Sequence, residues 1–365
     1  MRAVLIPSTA LYASWRRFAS TAANSVPYSL RQLTVHEHGS PIDVLRLEEE
    51  ERTFQPIMDS VLVKMVFAPI NPADINVIQG SYKTLPPLPA VPGGEGVGEV
   101  IAVGPDVSTL KVGDPVFPAA SGAGTWRSHI EDSENAFVSA PSGLTWAENA
   151  ALRVNPPTAW RMLHDFGVPE RMEDRIFIQN ASNSSVGRSA LQLGKMLGWK
   201  SVNLIRGTAA DEGQELKEEL EALGADIVIT ERELMSQRAH VKSAIVEKLG
   251  KLPLLALNCV GGPSLTEMSR LLAPGASVVT YGGMSRKPVT VSTSAFIFED
   301  LKMFGFWMTR WRDEHSLEEQ QEMYESLATA IRKGQLILPE IDFFGIDEYM
   351  EVLGTPSCRK RGFYF

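Results

Sequence analysis

Residues 175–206 constrain this chain more than any other stretch. An apolar run, Arg175-Ile176-Phe177-Ile178-Gln179, opens into Asn180-Ala181-Ser182-Asn183-Ser184-Ser185-Val186-Gly187, after which apolar residues recur at helical spacing. The pattern predicts a strand, a loop of small residues and a helix start. Backbone N–H groups of such a loop, with the positive end of the helix behind them, suit a pyrophosphate. Gly187 is the single glycine among the eight loop residues, so the segment departs from the Gly-x-Gly-x-x-Gly form. The next apolar run, Ser201-Val202-Asn203-Leu204-Ile205, ends on Arg206. A carboxylate at that point would take the ribose 2′-hydroxyl of NAD, whereas a cation takes a 2′-phosphate, so the residues read as an NADPH site.

The rest of the pattern supports a parallel sheet. Apolar runs at 175–179, 201–205, 226–229, 254–258 and 276–280 alternate with helical stretches such as 214–223, which predicts a doubly wound Rossmann sheet. Residues 29–140 read differently: short alternating runs (33–35, 61–66, 96–103) are punctuated by Gly and Pro and predict a β-rich domain. After Arg310 come a charged helix, 317–333, and the apolar Leu336-Ile337-Leu338, which are expected to fold back onto the β-rich domain and make it discontinuous. The expected organisation is a leader over 1–18 with disorder to about 28, a β-rich catalytic domain over 29–158, a Rossmann NADPH-binding domain over 159–309, and a return to the catalytic domain over 310–365.

Charge and cysteines narrow the classes. The chain of 365 residues is 44% hydrophobic and carries a formal charge of −9, which argues against a nucleic-acid binder, since those need a basic footprint. No apolar run approaches the roughly 20 residues that a membrane-spanning helix requires. The two cysteines, Cys259 and Cys358, form no CxxC pair and no disulfide framework. The first 36 residues hold Arg2, Arg16, Arg17 and Arg31 with no Asp or Glu, the composition of a mitochondrial transit peptide, with a cleavage step at Arg16-Arg17-Phe18-Ala19-Ser20. Cutting after Phe18 removes three arginines and takes the charge from −9 to −12.

Several segments together resemble the medium-chain dehydrogenase/reductase superfamily, and within it the mitochondrial trans-2-enoyl thioester reductases. They are Asn71-Pro72-Ala73-Asp74 followed by Gly80-Ser81-Tyr82, Val154-Asn155-Pro156-Pro157, the 180–187 loop, Leu257-Asn258-Cys259-Val260-Gly261-Gly262, Tyr281-Gly282-Gly283-Met284 and Gly305-Phe306-Trp307. The resemblance implies a Rossmann domain beside a GroES-like catalytic domain. It also implies NADPH-dependent reduction of an enoyl thioester on acyl carrier protein or coenzyme A in the mitochondrial matrix, the last step of mitochondrial type II fatty acid synthesis, by a homodimer joined through its cofactor domains.

Zinc-dependent members of the superfamily carry a Gly-His-Glu step where this chain has Gly93-Gly94-Glu95, and no cysteine precedes Cys259. With His36 and His38 as the one close histidine pair, the ligand set for a metal is missing, and none is expected. Without a Lewis acid, reduction of an activated double bond suits the residues better than alcohol oxidation.

The resemblance assigns Tyr82 as the catalytic hydroxyl. A phenol can donate a proton or a hydrogen bond to an enolate at neutral pH. It assigns cofactor contacts to Asn155, to Asn183, Ser184, Ser185 and Val186 of the loop, to Arg206, Gly207 and Thr208, to Tyr281, Gly282, Gly283 and Met284, to Phe306, Trp307, Met308 and Thr309, and to Lys360. Two departures stand out. Relatives carry Arg-Asp-Arg where this chain has Arg206-Gly207-Thr208, so one phosphate-gripping guanidinium is replaced by a neutral donor. Ser185 stands where many relatives have glycine. Arg310, Arg312, Arg359, Lys360 and Arg361 form a candidate basic patch for an acidic acyl carrier. Two other readings stay open from the sequence: a zinc-free NADPH-dependent quinone or alkenal reductase, and a protein that binds NADPH without turnover.

Overall fold

The computed structural model describes residues 25–167, 170–206, 210–357 and 359–365. The expected leader over 1–18, together with Gly207, Thr208 and Cys358, lies outside the described residues. The chain divides into two compact units, one running to Arg153 and completed by Glu340–Phe365, the other Val154–Pro339.

The second unit is built on a six-stranded sheet. In spatial order its strands are Ile227–Thr230, Lys200–Ile205, Ile176–Gln179, Leu255–Asn258, Ser277–Thr280 and Lys302–Gly305, every neighbouring pair parallel. Numbered by appearance, that order is 3-2-1-4-5-6, the Rossmann arrangement. The central strands Ile176–Gln179 and Leu255–Asn258 are buried at every position. Strands covered on both faces cannot alternate, which is why they read as short unbroken apolar runs. Ile176, Ile178, Val202, Leu204, Ala256 and Val278 share one core cluster with Leu265 and Met268 of the Gly262–Ser269 helix. Each large aliphatic side chain buried there contributes roughly 1.5–3 kcal/mol.

The first unit is β-rich, as expected. A two-stranded antiparallel ribbon pairs Val26–Val35 with Leu45–Phe54. Strand Ser60–Pro69 is the hub of the larger sheet, antiparallel to Val97–Val103, His129–Ser133 and the C-terminal strand Lys360–Tyr364. Ile341–Gly345 lies parallel to that last strand, and Trp126, fully buried, meets Phe363 edge-on at 5.2 Å.

Three boundary expectations are corrected. Strand structure begins at Val26, so residues 26–28 are ordered, their backbone held by pairing with Thr53 and its neighbours. The Leu45–Phe54 strand was not legible because its run Glu48-Glu49-Glu50-Glu51 shows no apolar alternation. It forms by pairing with the first strand, where Arg31 meets Glu49 at 2.7 Å. The return to the first unit comes at Glu340, not 310. Helix Leu317–Arg332 packs on helix Asn155–Asp165, and Gln192 both donates to and accepts from the Ile337 backbone, so 310–339 belongs to the nucleotide-binding unit. The early boundary shifts likewise, since Val154–Thr158 begins the second unit rather than ending the first.

Candidate functional site

In the second unit the first strand ends in a polar layer. Gln179, Asn180, Ser182, Asn203 and Asn258 are all fully buried at the C-terminal ends of the parallel strands. Buried amides are tolerated only when their hydrogen bonds are made. Asn180 donates to Asn258 Oδ1 (2.9 Å) and Ser264 Oγ (3.2 Å) and accepts from the Cys259 N–H (2.8 Å). Gln179 donates to the Gly187 carbonyl (2.9 Å) and Asn203 Oδ1 (2.7 Å). The layer therefore ties the 180–187 loop to the strands on both sides. Side-chain roles for Asn180, Asn203 and Asn258 escaped the sequence reading, although an amide closing an apolar strand is a legible signal.

The loop itself is tightly determined. Ala181 has φ +51°, an unfavourable value for a residue with a Cβ, held by the Ser184 N–H donating to its carbonyl (2.9 Å). Ser184 caps helix Ser185–Met196 by accepting from the Gly187 N–H at 3.1 Å. Arg188, bidentate to Glu219, also donates to the Asn183 carbonyl. A Cβ on Gly187 would lie 2.6 Å from the Ser182 carbonyl oxygen, so no larger residue fits. Ser185 and Val186, half-buried, occupy the helix's first turn, where backbone N–H groups lack intrahelical acceptors. Arg206 is exposed at the end of strand Lys200–Ile205. A small loop, a helix N-terminus and an exposed cation at the second strand's end fit the pyrophosphate and 2′-phosphate of NADPH.

The remaining expected contacts of this unit divide by burial. The Tyr281 N–H donates to the Asn258 carbonyl and the Met284 N–H to the Cys259 carbonyl, so 281–284 turns tightly over 258–260. A Cβ on Gly282 would meet Cys259 Sγ at 3.0 Å, while one on Gly283 would meet open space. Burial pushes the Tyr281 phenol well above its usual range, with the neighbouring Cys259 thiol adding to the shift. Met284 is exposed, Trp307 and Thr309 are half-buried, and Phe306 and Met308 are buried. The Phe306 and Met308 side chains are thus withdrawn from solvent, with the Phe306 ring edge-on to Phe166, while Trp307 is half-buried. Asn155 is buried in the first turn of its helix, ahead of Pro156.

In the first unit Tyr82 follows a short, well-anchored helix, Pro72–Ile78. Pro72 suits the first turn, and Asp74 Oδ2 accepts from the Asn71 N–H at 2.7 Å, closing the N-terminal side. At the other end Gly80 adopts φ +71°, and the Ser81 N–H donates to the Asn76 carbonyl (2.9 Å). A Cβ on Gly80 would sit 2.9 Å from the His38 ring, so glycine is required there twice over. The turn presents Tyr82, half-buried, four residues beyond the helix's last residue, Ile78.

Lys360 lies in this same unit. Its Nζ donates to Asn71 Oδ1 at 2.7 Å and stands 3.9 Å from Glu95 Oε2. Among the described residues no group of three or more His, Cys, Asp or Glu converges as a metal site would require. His36 forms an exposed ion pair with Glu48 (2.8 Å). The residues of the expected basic patch differ in exposure: in the second unit Arg312 is buried and Arg310 exposed, while in the first the Lys360 side chain is 10% exposed, Arg359 is exposed and engaged by Glu340 and Asp342, and Arg361 donates to the Val352 and Thr355 carbonyls.

A β-rich unit completed by the chain's last strands, and a parallel sheet of Rossmann order carrying a small-residue phosphate loop, define a nucleotide-dependent oxidoreductase of the medium-chain dehydrogenase/reductase class. Family comparison agrees: residues 58–154 match the alcohol dehydrogenase GroES-like domain and 185–328 the zinc-binding dehydrogenase domain. The chain is 47% identical over 340 residues to the mitochondrial enoyl-acyl-carrier-protein reductase of Rattus norvegicus, covering 93% of this chain and 88% of that one. Among solved structures it resembles the Etr1p/NADP/crotonyl-CoA complex (TM-score 0.86, 32% identity) and the mitochondrial 2-enoyl thioester reductase Etr1p/Etr2p heterodimer from Candida tropicalis (TM-score 0.84, 32% identity), each match covering 93% of this chain and all of that one. The chain belongs to the family of mitochondrial enoyl-acyl-carrier-protein reductases.

Proposed function

We propose that this protein reduces trans-2-enoyl thioesters to saturated acyl thioesters with NADPH, acting on acyl carrier protein or coenzyme A derivatives in the mitochondrial matrix as the last step of fatty acid synthesis there. The observation that carries the reading is Tyr82, presented by an anchored helix and a glycine turn in a chain that matches enoyl thioester reductases over 93% of its length. When bound, NADPH supplies a hydride to Cβ of the enoyl group. Negative charge then builds on the thioester oxygen, and the Tyr82 hydroxyl stabilises it by hydrogen bonding and delivers its proton to Cα. The phenolate recovers a proton from solvent, and the product has gained one hydride and one proton. The α-helix N-terminus at Ser185 and the Arg206 guanidinium hold the phosphates, and the half-buried Trp307 supplies an apolar wall.

A homodimer joined through the nucleotide-binding units is part of this reading. Among the described residues strand Lys302–Gly305 pairs with Ser277–Thr280 alone and so leaves one edge open. Phe304, Phe296, Ile297 and Phe298 are exposed beside it, Phe298 at 77%. An open edge with exposed aromatics is a surface that natural proteins cover.

The test is NADPH oxidation, followed by absorbance, with a medium-chain trans-2-enoyl-CoA, a quinone and a simple alkenal. The thioester should be strongly preferred, and Tyr82→Phe should lower its turnover by about 10²–10⁴-fold. Preference for the quinone or alkenal, or full turnover by Tyr82→Phe, would overturn the proposal.

A further inference from the structure

A dinucleotide on this sheet has to cross from one half of it to the other. Arg206 closes the second strand, on the adenosine side, and the strand order reverses between Ile176–Gln179 and Leu255–Asn258, where a dinucleotide bridges two mononucleotide-binding halves. Asn180 stands at that reversal, fully buried. The Cys259 N–H donates to its Oδ1 (2.8 Å), and the Gly261 N–H to Asn258 Oδ1 (3.0 Å). Backbone N–H groups can only donate, so each of the two side-chain amides has a single possible orientation. The Asn180 Nδ2 hydrogens therefore go to Asn258 Oδ1 (2.9 Å) and Ser264 Oγ (3.2 Å), and the Ser264 hydroxyl donates onward to Glu231 Oε1 (2.6 Å). Among the described residues, every bond of the Asn180 side chain reaches 258–264 and none returns to its own loop. Residues 182–187 have other anchors: the Ser182 N–H donates to the Leu204 carbonyl (3.1 Å), Gln179 to the Gly187 carbonyl, and Arg188 to the Asn183 carbonyl, while Ser184 caps the helix.

We propose that Asn180 is a positioning residue that sets the nicotinamide side of the cofactor site, acting through 258–260 on the 281–284 turn. The Asn258 carbonyl accepts from the Tyr281 N–H and the Cys259 carbonyl from the Met284 N–H, each at 2.9 Å, and the Val260 carbonyl accepts from the Ser285 N–H at 3.0 Å. Where 258–260 lies, the turn follows. Removing the Asn180 side chain takes the acceptor from the Cys259 N–H and one donor from Asn258 Oδ1, and leaving such groups unpaired is costly. Relief comes by moving 258–260, whereas 182–187 keeps its own anchors. The direction of the bonds matters as much as their number. Asn180→Asp keeps an oxygen for the Cys259 N–H, but it sets a second oxygen against Asn258 Oδ1, acceptor against acceptor in a buried place. Asn258→Asp is milder. Its oxygens still accept from Asn180 Nδ2 and the Gly261 N–H, and the Thr280 hydroxyl, which now accepts from Asn258 Nδ2 at 3.1 Å, can turn to donate.

This inference rests on the reading that 281–284 borders the cofactor, and its test separates the two. Asn180→Ala, Asn180→Asp, Asn258→Asp and Gly283→Val are made in the full chain. The dissociation constant of NADPH is measured by fluorescence, that of 2′,5′-ADP by displacement of NADPH, and thermal melting is followed for all. The fragment carries the 2′-phosphate and the adenosine phosphate but lacks the nicotinamide half. Asn180→Ala should weaken NADPH about tenfold while 2′,5′-ADP changes less than about twofold, a split that loss of stability alone does not produce. Asn180→Asp should weaken NADPH at least about fivefold more than Asn258→Asp. Proportional weakening of NADPH and the fragment by Asn180→Ala would make Asn180 a support of the phosphate loop and overturn the inference. NADPH affinity within about twofold of the unaltered chain, whatever the melting temperature, would overturn it as well. Equal losses in the two aspartate variants would refute the argument from bond direction. A Cβ on Gly283 meets nothing within 4 Å, so Gly283→Val fills only space that the cofactor would take and should weaken NADPH but not the fragment. Unaltered NADPH affinity in that variant would overturn the reading of the turn, and the inference with it, without any Asn180 variant. If Asn180→Ala does not fold, Asn258→Ala, which removes the acceptor that Asn180 and Gly261 share, carries the same comparison: the split supports the inference, and its absence refutes it.

Discussion

Gly187→Ala is the sharpest test of the phosphate loop. The added Cβ would lie 2.6 Å from the Ser182 carbonyl oxygen, 2.7 Å from that of Ala181 and 2.7 Å from Ser182 Cα. All three are backbone atoms, so no side-chain rotation relieves the contact. Ordinary contact begins at 3.4 Å, and the loop must therefore give by about 0.8 Å. Moving it disturbs the Gln179 bond to the Gly187 carbonyl and the Ser184 cap at once. Overpacking of this kind costs about 1–3 kcal/mol, offset by up to about 1 kcal/mol from the better helix propensity of alanine. The net loss of about 1–2 kcal/mol should lower Tm by roughly 2–8 °C for a unit of this size. The displaced N–H groups should weaken NADPH by the worth of one charge-assisted hydrogen bond, about 1.5–3 kcal/mol or roughly 10–100-fold in Kd. Scanning calorimetry and fluorescence titration of NADPH read the two effects. A variant with unchanged Kd and a Tm within about 1 °C would refute the argument that the loop needs a Cβ-free position.

Burial pushes the His129 imidazole down to about 4, with the facing Lys64 charge adding and the Ser29 backbone opposing. It is neutral in the fold, so its contribution to stability is complete above about pH 6.5 and is lost as pH falls through about 4, amounting to about 3 kcal/mol at most. Urea midpoints at pH 7, 5.5 and 4 should therefore fall less steeply for His129→Gln than for the unaltered chain; parallel slopes would count against the assignment. Ile297→Glu puts a charge into the exposed apolar surface beside the open strand edge and should yield monomers in sedimentation velocity with the Tm of the isolated unit little changed, whereas an unaltered dimer mass would move the interface elsewhere.

The parallel sheet was legible because its inner strands, covered on both faces, are largely apolar, and the edge strand Ile227–Thr230 keeps an apolar run of its own. The sixth, Lys302–Gly305, was missed because its short run opens on an exposed lysine and closes on an exposed glycine, leaving two apolar residues between them. Of the residues expected at the cofactor, those of the 180–187 loop lie at the strand ends, and the Phe306 and Met308 side chains are buried. A run such as Gly305-Phe306-Trp307-Met308 carries no sign of which side chain faces the core; that depends on Phe166 from a distant segment.

The sequence by itself determined the kinds of unit and the strand, loop and helix start of 176–196, because periodicity, turn residues and helix starts are encoded over a few neighbouring positions. Tertiary structure alone decided that Lys360 meets Asn71 across 289 residues, that Glu95 lies 3.9 Å from the same ammonium, and that Arg359 and Arg361 are engaged within the first unit. Burial and ion pairing are properties of the assembled fold: the desolvation that gives a charge its energetic weight arises only when segments remote in the chain close around it.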